Sequence, residues 1–205
     1  MARHPDSASA LLGQRDYLIY LSTRSLGVLA TAAQSVTMGW QVYDMARAER
    51  GIAESALYVG ILGLVTFLPL FLLALPAGVV ADRYPRKRVL SICFLGEAVC
   101  AALLVGTALS GHLTVNLLLG IAVLFGISRA FRAPAGVALA PMLVPEVLLP
   151  RAIAWSSLAF QMGSIGGPVL AGYMVGRWSS THSYAVSLVL YLVPVVGLAF
   201  VRHPT

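Results

Sequence analysis

Gly78-Val79-Val80-Ala81-Asp82-Arg83-Tyr84-Pro85-Arg86-Lys87-Arg88-Val89-Leu90 stands between two long apolar runs. The runs cover about 56–81 and 89–109, each long enough to cross a bilayer as a helix. The thirteen residues therefore read as a short charged turn at a membrane edge. One acid, Asp82, is surrounded by four bases, Arg83, Arg86, Lys87 and Arg88. Asp82 is expected to pair with Arg83 or Arg86, or to sit at the positive end of another helix. Gly78 is expected to let a second helix approach closely. The competing reading is a plain basic loop that only sets orientation.

Four further stretches outside this pair are long and apolar: 17–43, a run from 115 that fades near Pro134 and Pro141, 152–175 and 184–201. Pro134, Pro141, Pro145 and Pro150 are expected to break the helical pattern after the fourth run. The gaps between runs alternate in charge. Arg3, Arg15, Arg83, Arg86, Lys87, Arg88, Arg129, Arg132, Arg151 and Arg202 fall on one side, and only Arg47, Arg50 and Arg177 on the other. Ten against three puts both termini in the cytoplasm of a multi-pass protein of the inner or plasma membrane.

The composition agrees. Apolar residues make up 59% of the 205 and charged residues 11%, where a soluble domain carries about 25%. Mean hydropathy is +0.84. The net charge of +6 reports orientation here, not a nucleic-acid partner. Cys93 and Cys100 lie about 10 Å apart along one helix, too far for a disulfide. No metal-ligand spacing, phosphate-binding loop, nucleophile elbow or triad motif is present, so neither an enzyme nor a cofactor is expected.

The six runs divide into halves of three that enter the membrane from opposite sides. The second and fifth carry Gly and Pro at matching places: Pro76-Ala77-Gly78, and Gly166-Gly167-Pro168 with Gly172. Paired interruptions in inverted repeats point to a transporter core. Within the fifth run, Gly163 and Gly167 form a Gly-x-x-x-Gly packing face, and Pro168 removes a backbone donor.

In residue order, Gly78, Ala81, Asp82, Arg83, Arg86, Lys87 and Leu90 resemble the signature loop of the major facilitator superfamily, with Val80 and Pro85 as departures. Gly163, Gly167, Pro168 and Gly172 resemble its antiporter motif, with Ala171 in place of a glycine. The stretches 39–43, 129–135, 143–145 and 152–154 are similar to the drug:proton antiporter branch that contains enterobactin exporters. The resemblance covers essentially the whole chain as the N-terminal half of a twelve-helix family. It implies an all-α membrane protein of six spans in two inverted repeats. The segments would be a tail over 1–16, a bundle over 17–202 and a truncated end over 203–205. It implies secondary export of a small molecule such as a drug or siderophore, coupled to protons by alternating access. The loop with Gly78, Asp82, Arg83, Arg86 and Lys87 would latch the cytoplasmic side, and the partner would be a C-terminal six-helix half or a second copy. A non-transporting membrane fragment, or a subunit that needs a partner chain, stays open beside it.

Charges inside membrane helices are functional candidates by default. Counting 1.5 Å per residue from the cytoplasmic ends puts Arg24 roughly 10 Å deep and Glu97 roughly 12 Å deep. Arg129 and Gln161 come out near that level. A cluster of Arg24, Glu97, Arg129 and Gln161 is expected, with Glu97 paired to Arg24 or to Arg129 as a substrate or proton site. Snorkelling of the two arginines, or a purely structural salt bridge at Glu97, would explain the same pattern. Gln34 is expected either to line the cavity or to join two helices. Trp40, Trp155 and Trp178, with Tyr17, Tyr43 and Tyr184, are expected to anchor the bundle at the two membrane surfaces.

Overall fold

A computed structural model describes residue 11 and residues 13–200 of the chain. Most of the tail expected over 1–16 and all of 203–205 lie outside them, as do Arg3 and Arg202. Among the described residues seven α-helices follow one another: α1 Arg15–Arg50, α2 Ile52–Leu72, α3 Ala74–Arg83, α4 Arg86–Leu109, α5 Val115–Leu139, α6 Leu149–Arg177 and α7 Ser180–Ala199. Two 3₁₀ turns, Ala140–Met142 and Glu146–Leu148, join α5 to α6.

Among the described residues five helices are long and apolar enough to cross a membrane: α2, α4, α5, α6 with the turn before it, and α7. The sixth expected span is α1. It is long enough at 36 residues, yet too polar to meet the same standard. The reason is where its polar residues go. Gln34 and Thr37 are fully buried and Thr23 and Thr31 nearly so, facing protein and not lipid. A helix at the centre of a bundle needs no continuous apolar surface. α1 packs against α6, α7 and α2, α7 fills the space between α1 and α4, and α5 joins α4 to α2.

The helix ends follow local chemistry. α1 stops at Gly51, whose φ of +85° no β-carbon tolerates well, and α2 starts at the next residue. The expected second span is split at Leu73 into α2 and α3. Pro76 accounts for the break: it offers no N–H to the Leu72 carbonyl and its ring crowds that turn. Tyr84 is extended ahead of Pro85, and α4 begins at Arg86. The charged loop thus turns through a Tyr-Pro pair with no positive φ at all.

Two expectations need correction here. α5 does not fade at Pro134 but runs through it to Leu139. One missing N–H costs a single helical bond, and close neighbours hold the rest in place. Pro141, Pro145 and Pro150 do mark the end, in the 3₁₀ turns and the first turn of α6. Tyr17 and Tyr184 are core residues and not surface anchors, at 1% and 0% exposure. Tyr17 donates to the Ala152 carbonyl at 2.7 Å, tying α1 to the start of α6. Trp40, Trp155 and Trp178 are about half exposed, as an anchoring belt requires.

Candidate functional site

Glu97 sits on the buried stripe of α4 with Leu90, Phe94, Ala101 and Leu104, and no part of it reaches the surface. A bare carboxylate there would be prohibitive, and α5 supplies the cation. The Arg132 Nε donates to the Glu97 Oε1 at 2.8 Å. Its Nη2 donates to the Thr31 Oγ1 of α1 at 3.0 Å. The Thr31 hydroxyl spends its own hydrogen on the Gly27 carbonyl at 2.7 Å and lies 3.4 Å from the Glu97 Oε2. The Arg132 guanidinium also stacks over the Phe94 ring at 5.4 Å. One ion pair therefore ties α1, α4 and α5 together at mid-bundle.

The sequence reading paired Glu97 with Arg24 or Arg129, and neither bond forms. Arg129 lies one turn from Arg132 with its guanidinium over Phe125. Arg24 turns toward α6, where its Nε donates to the Ser156 carbonyl at 3.2 Å and its guanidinium covers Phe160. Depth alone could not separate two arginines three residues apart on one face. Gln161 is exposed on α6 and accepts only from Ser164, outside the cluster. Gln34 is fully buried but lines no part of the cavity described next.

A cavity of about 380 Å³ opens beside this ion pair. Arg24, Arg129 and Arg132 all line it, with Tyr20, Phe94 and Phe160 as aromatic walls. Glu97 does not line it. With Arg132 neutralised by Glu97, Arg24 and Arg129 leave the wall positive, which favours an anionic group. Tyr20 holds the floor, donating to the Gly136 carbonyl at 2.8 Å.

The charged loop behaves differently from its reading. Asp82 and Arg83 are exposed, and among the described residues Asp82 has no ion pair. Arg86 donates instead to the Ala138 carbonyl at 3.0 Å, and Lys87 to the Ala199 carbonyl at 3.2 Å. These carbonyls belong to the last turns of α5 and α7, which helix geometry leaves unsatisfied. The two bases cap two helices at their negative ends. Gly78 meets no atom of another helix within 4 Å of where a β-carbon would stand, so close approach is not its role within this bundle. Replacing Arg86 by alanine should cost about 0.5–1.5 kcal/mol, a fall of a few degrees in the thermal midpoint in mild detergent. Arg83→Ala should leave the midpoint unchanged, and equal falls for both would refute the cap.

The glycine motif of α6 splits in two. A β-carbon at Gly163 would lie 2.9 Å from the Leu29 nitrogen and the Ser25 carbonyl oxygen, and one at Gly167 2.5 Å from the Ala32 Cβ. Here α6 lies directly on the α1 backbone. Gly172 meets nothing within 4 Å. Pro168 leaves the carbonyl of Ser164, a cavity-lining residue, without its helical donor.

The sequence reading missed Arg132 as the partner of Glu97, although it stands on the same α5 face as Arg129. It also missed Tyr20 and Phe160 on the cavity wall, which carry no signal separable from ordinary core aromatics.

Comparison with known proteins shows which sequences the chain resembles. A family model described as transmembrane secretion effector matches residues 9–204. The chain is 27% identical over 150 residues to macrolide efflux protein A of Streptococcus pyogenes, covering 73% of this chain and 37% of that protein. It is 25% identical over 144 residues to the staphyloferrin A transporter of Staphylococcus aureus, covering 70% and 36%. It is 29% identical over 192 residues to the enterobactin exporter of Citrobacter koseri, covering 90% and 42%. The chain thus spans less than half the length of the curated relatives it matches.

Proposed function

Because this chain belongs to the transmembrane secretion effector family of the major facilitator superfamily, a family of transporters and not of enzymes, we propose that it forms the N-terminal half of a proton-coupled exporter. Its six spans are α1, α2 with α3, α4, α5, α6 and α7, arranged as two inverted groups of three. Both termini lie in the cytoplasm, and the membrane is the inner or plasma membrane. A C-terminal six-helix half, or a second copy, closes the other wall of the cavity.

The observation that carries this reading is the arginine-lined cavity beside a fully buried Glu97–Arg132 pair. Arg24 and Arg129 hold an anionic group of the substrate, and the aromatic walls hold its apolar part. Glu97 carries the proton. When it is protonated the ion pair to Arg132 is lost, and with it the charged tie of α4 to α5, while Arg132 stays bonded to Thr31 of α1. Proton and substrate are thereby coupled through the shape of the bundle, as alternating access requires. Asp82 supports the latch. It is an exposed acid in the last turn of α3, where the helix dipole disfavours it. Among the described residues it has no ion pair, and a basic group of the other half is the partner that this reading gives it.

The test is dye efflux from cells carrying the chain alone or joined to a C-terminal six-helix half. Carboxyfluorescein serves as an anionic probe and ethidium as a cationic one. Uncoupler-sensitive loss of carboxyfluorescein from the joined form is expected; the same loss from the short chain alone would make the second wall another copy of this chain. Efflux of ethidium alone would refute the anion site. Asp82→Asn should abolish efflux of the joined form while membrane insertion stays normal, and unchanged efflux would remove Asp82 from the latch.

A further inference from the structure

Among the described residues, four buried side-chain polar atoms have no hydrogen-bond partner, the Nε2 and Oε1 of Gln34, the Oε1 of Gln41 and the Tyr184 hydroxyl, and a fifth, the Tyr191 hydroxyl, has only Thr31 nearby, outside good bonding geometry. All five lie on α1 or α7, which pack against each other. Native proteins rarely leave such groups unpaired, and a cluster of them needs a physical reason.

Helix geometry aligns them. Gln34, Thr37 and Gln41 repeat at three and four residues on α1, and so do Tyr184, Ser187 and Tyr191 on α7, so each set forms one stripe. The Thr37 and Ser183 hydroxyls meet at 2.6 Å, which fixes the antiparallel register. Gln34 then stands opposite Ser187, and Thr31 opposite Tyr191. Thr31 is already bonded to Arg132, the partner of Glu97. The seam runs about 15 Å along α1, from Gln41 near the α6–α7 connection to Thr31. The arginine cavity touches Thr31 and Arg132, both bonded to Glu97, and the seam reaches the same Thr31 from the other side.

We propose that α1 and α7 enclose a file of bound water that leads protons from the end of the bundle opposite the Arg83–Arg88 loop to Glu97. In the orientation given above that end is the outer face, where a proton taken up by an exporter enters. Waters with two to four polar neighbours each satisfy the orphaned amide and phenol groups. The titratable groups around Glu97 are Arg132 and Arg129 from α5, Tyr191 from α7, and Cys93 and Cys100 on its own helix. Of these, Tyr191 is the one on the seam. The proton-carrying role rests on the proton-coupled reading above, whereas the water file stands without it.

Radiolytic hydroxyl labelling of the full chain in nanodiscs tests the file. Bound water beside a side chain makes it react during the pulse. Tyr184 and Tyr191 should label severalfold faster than Tyr17, which is equally buried but already bonded to a carbonyl. This comparison needs no variant, and equal rates at all three would overturn the file. Gln34→Leu and, separately, Thr37→Val should lower labelling at Tyr191, and unchanged labelling in both would overturn the continuity of the path. Infrared difference spectra between acidic and alkaline buffer test the proton. The Glu97 carboxyl band, identified by its loss in Glu97→Gln, should exchange in D2O severalfold more slowly in Gln34→Leu. An unchanged exchange rate would overturn the route. No Glu97 band at either pH would overturn proton carriage, and the proton-coupled reading with it, while leaving the water file to the labelling result.

Discussion

Arg132→Met should strip the bundle of most of its stability, by about 3–5 kcal/mol. The two ends of the ion pair are not equivalent. The Arg132 side chain is 17% exposed toward the cavity, whereas the Glu97 side chain is 0% exposed. Removing the arginine leaves a carboxylate with only the Thr31 hydroxyl in reach. Removing the acid leaves an arginine that still stacks on Phe94 and still faces the cavity. Glu97→Gln should therefore be much the milder change, and Glu97→Gln with Arg132→Met should recover most of the loss. The damage in Arg132→Met should also be smaller in acidic than in alkaline buffer, since a protonated carboxyl is cheaper to bury. Heating each variant in mild detergent, followed by size-exclusion chromatography, gives the midpoints. An Arg132→Met protein as heat-stable as the wild type would show that the pair does not hold the helices together.

Gly167→Val should be nearly as damaging, for a steric reason. The β-carbon alone would stand 2.5 Å from the Ala32 Cβ, 2.6 Å from the Leu29 carbonyl oxygen and 2.9 Å from the Ala33 nitrogen. Two of these three atoms are backbone and cannot rotate away. α6 would have to retreat from α1 along its whole contact, at about 1–3 kcal/mol for overpacking and more for a branched side chain. Gly163→Val meets the same backbone and should behave alike. Gly172→Ala should be neutral or gain up to about 1 kcal/mol from helix propensity. The same heating series separates them. Equal midpoints for Gly167→Val and Gly172→Ala would mean that α6 does not rest on α1 as described.

How far the sequence could be read depended on which physical rule each residue obeyed. Apolar length is a strong signal, and α2, α4, α5, α6 and α7 were all legible from it. α1 was legible too, but not the destination of its polar residues: Gln34 and Thr37 turn to α7, and no periodicity in α1 alone says which neighbour they meet. Pro134 was overread because proline breaks helices in water more readily than in a packed bundle. The inward position of Glu97 was legible from its depth in an apolar run, where a charge seeks the bundle interior. Its partner did not follow, because depth along an axis ignores rotation about it and the reach of an arginine side chain. Asp82, Arg86 and Lys87 were legible as a cluster. That the two bases cap α5 and α7, leaving Asp82 with no ion pair among the described residues, is a matter of tertiary placement that no local pattern encodes.

The length of α1 has a mechanical consequence. Thirty-six residues make a rod of about 54 Å, and the hydrocarbon core of a bilayer is about 30 Å thick. As the span proposed above, α1 would stand with nearly half of its length in headgroups or water, or else lean steeply. Its embedded part carries Thr31 and rests on α6 through two glycines with no side chain to cushion the contact. A binder that grips the protruding end, or a thicker membrane that straightens the rod, would act as a hand on a lever, its short arm pressing on the Glu97–Arg132 pair. On the exporter reading proposed above, transport should then respond to lipid chain length, through leverage and not through any contact between lipid and site.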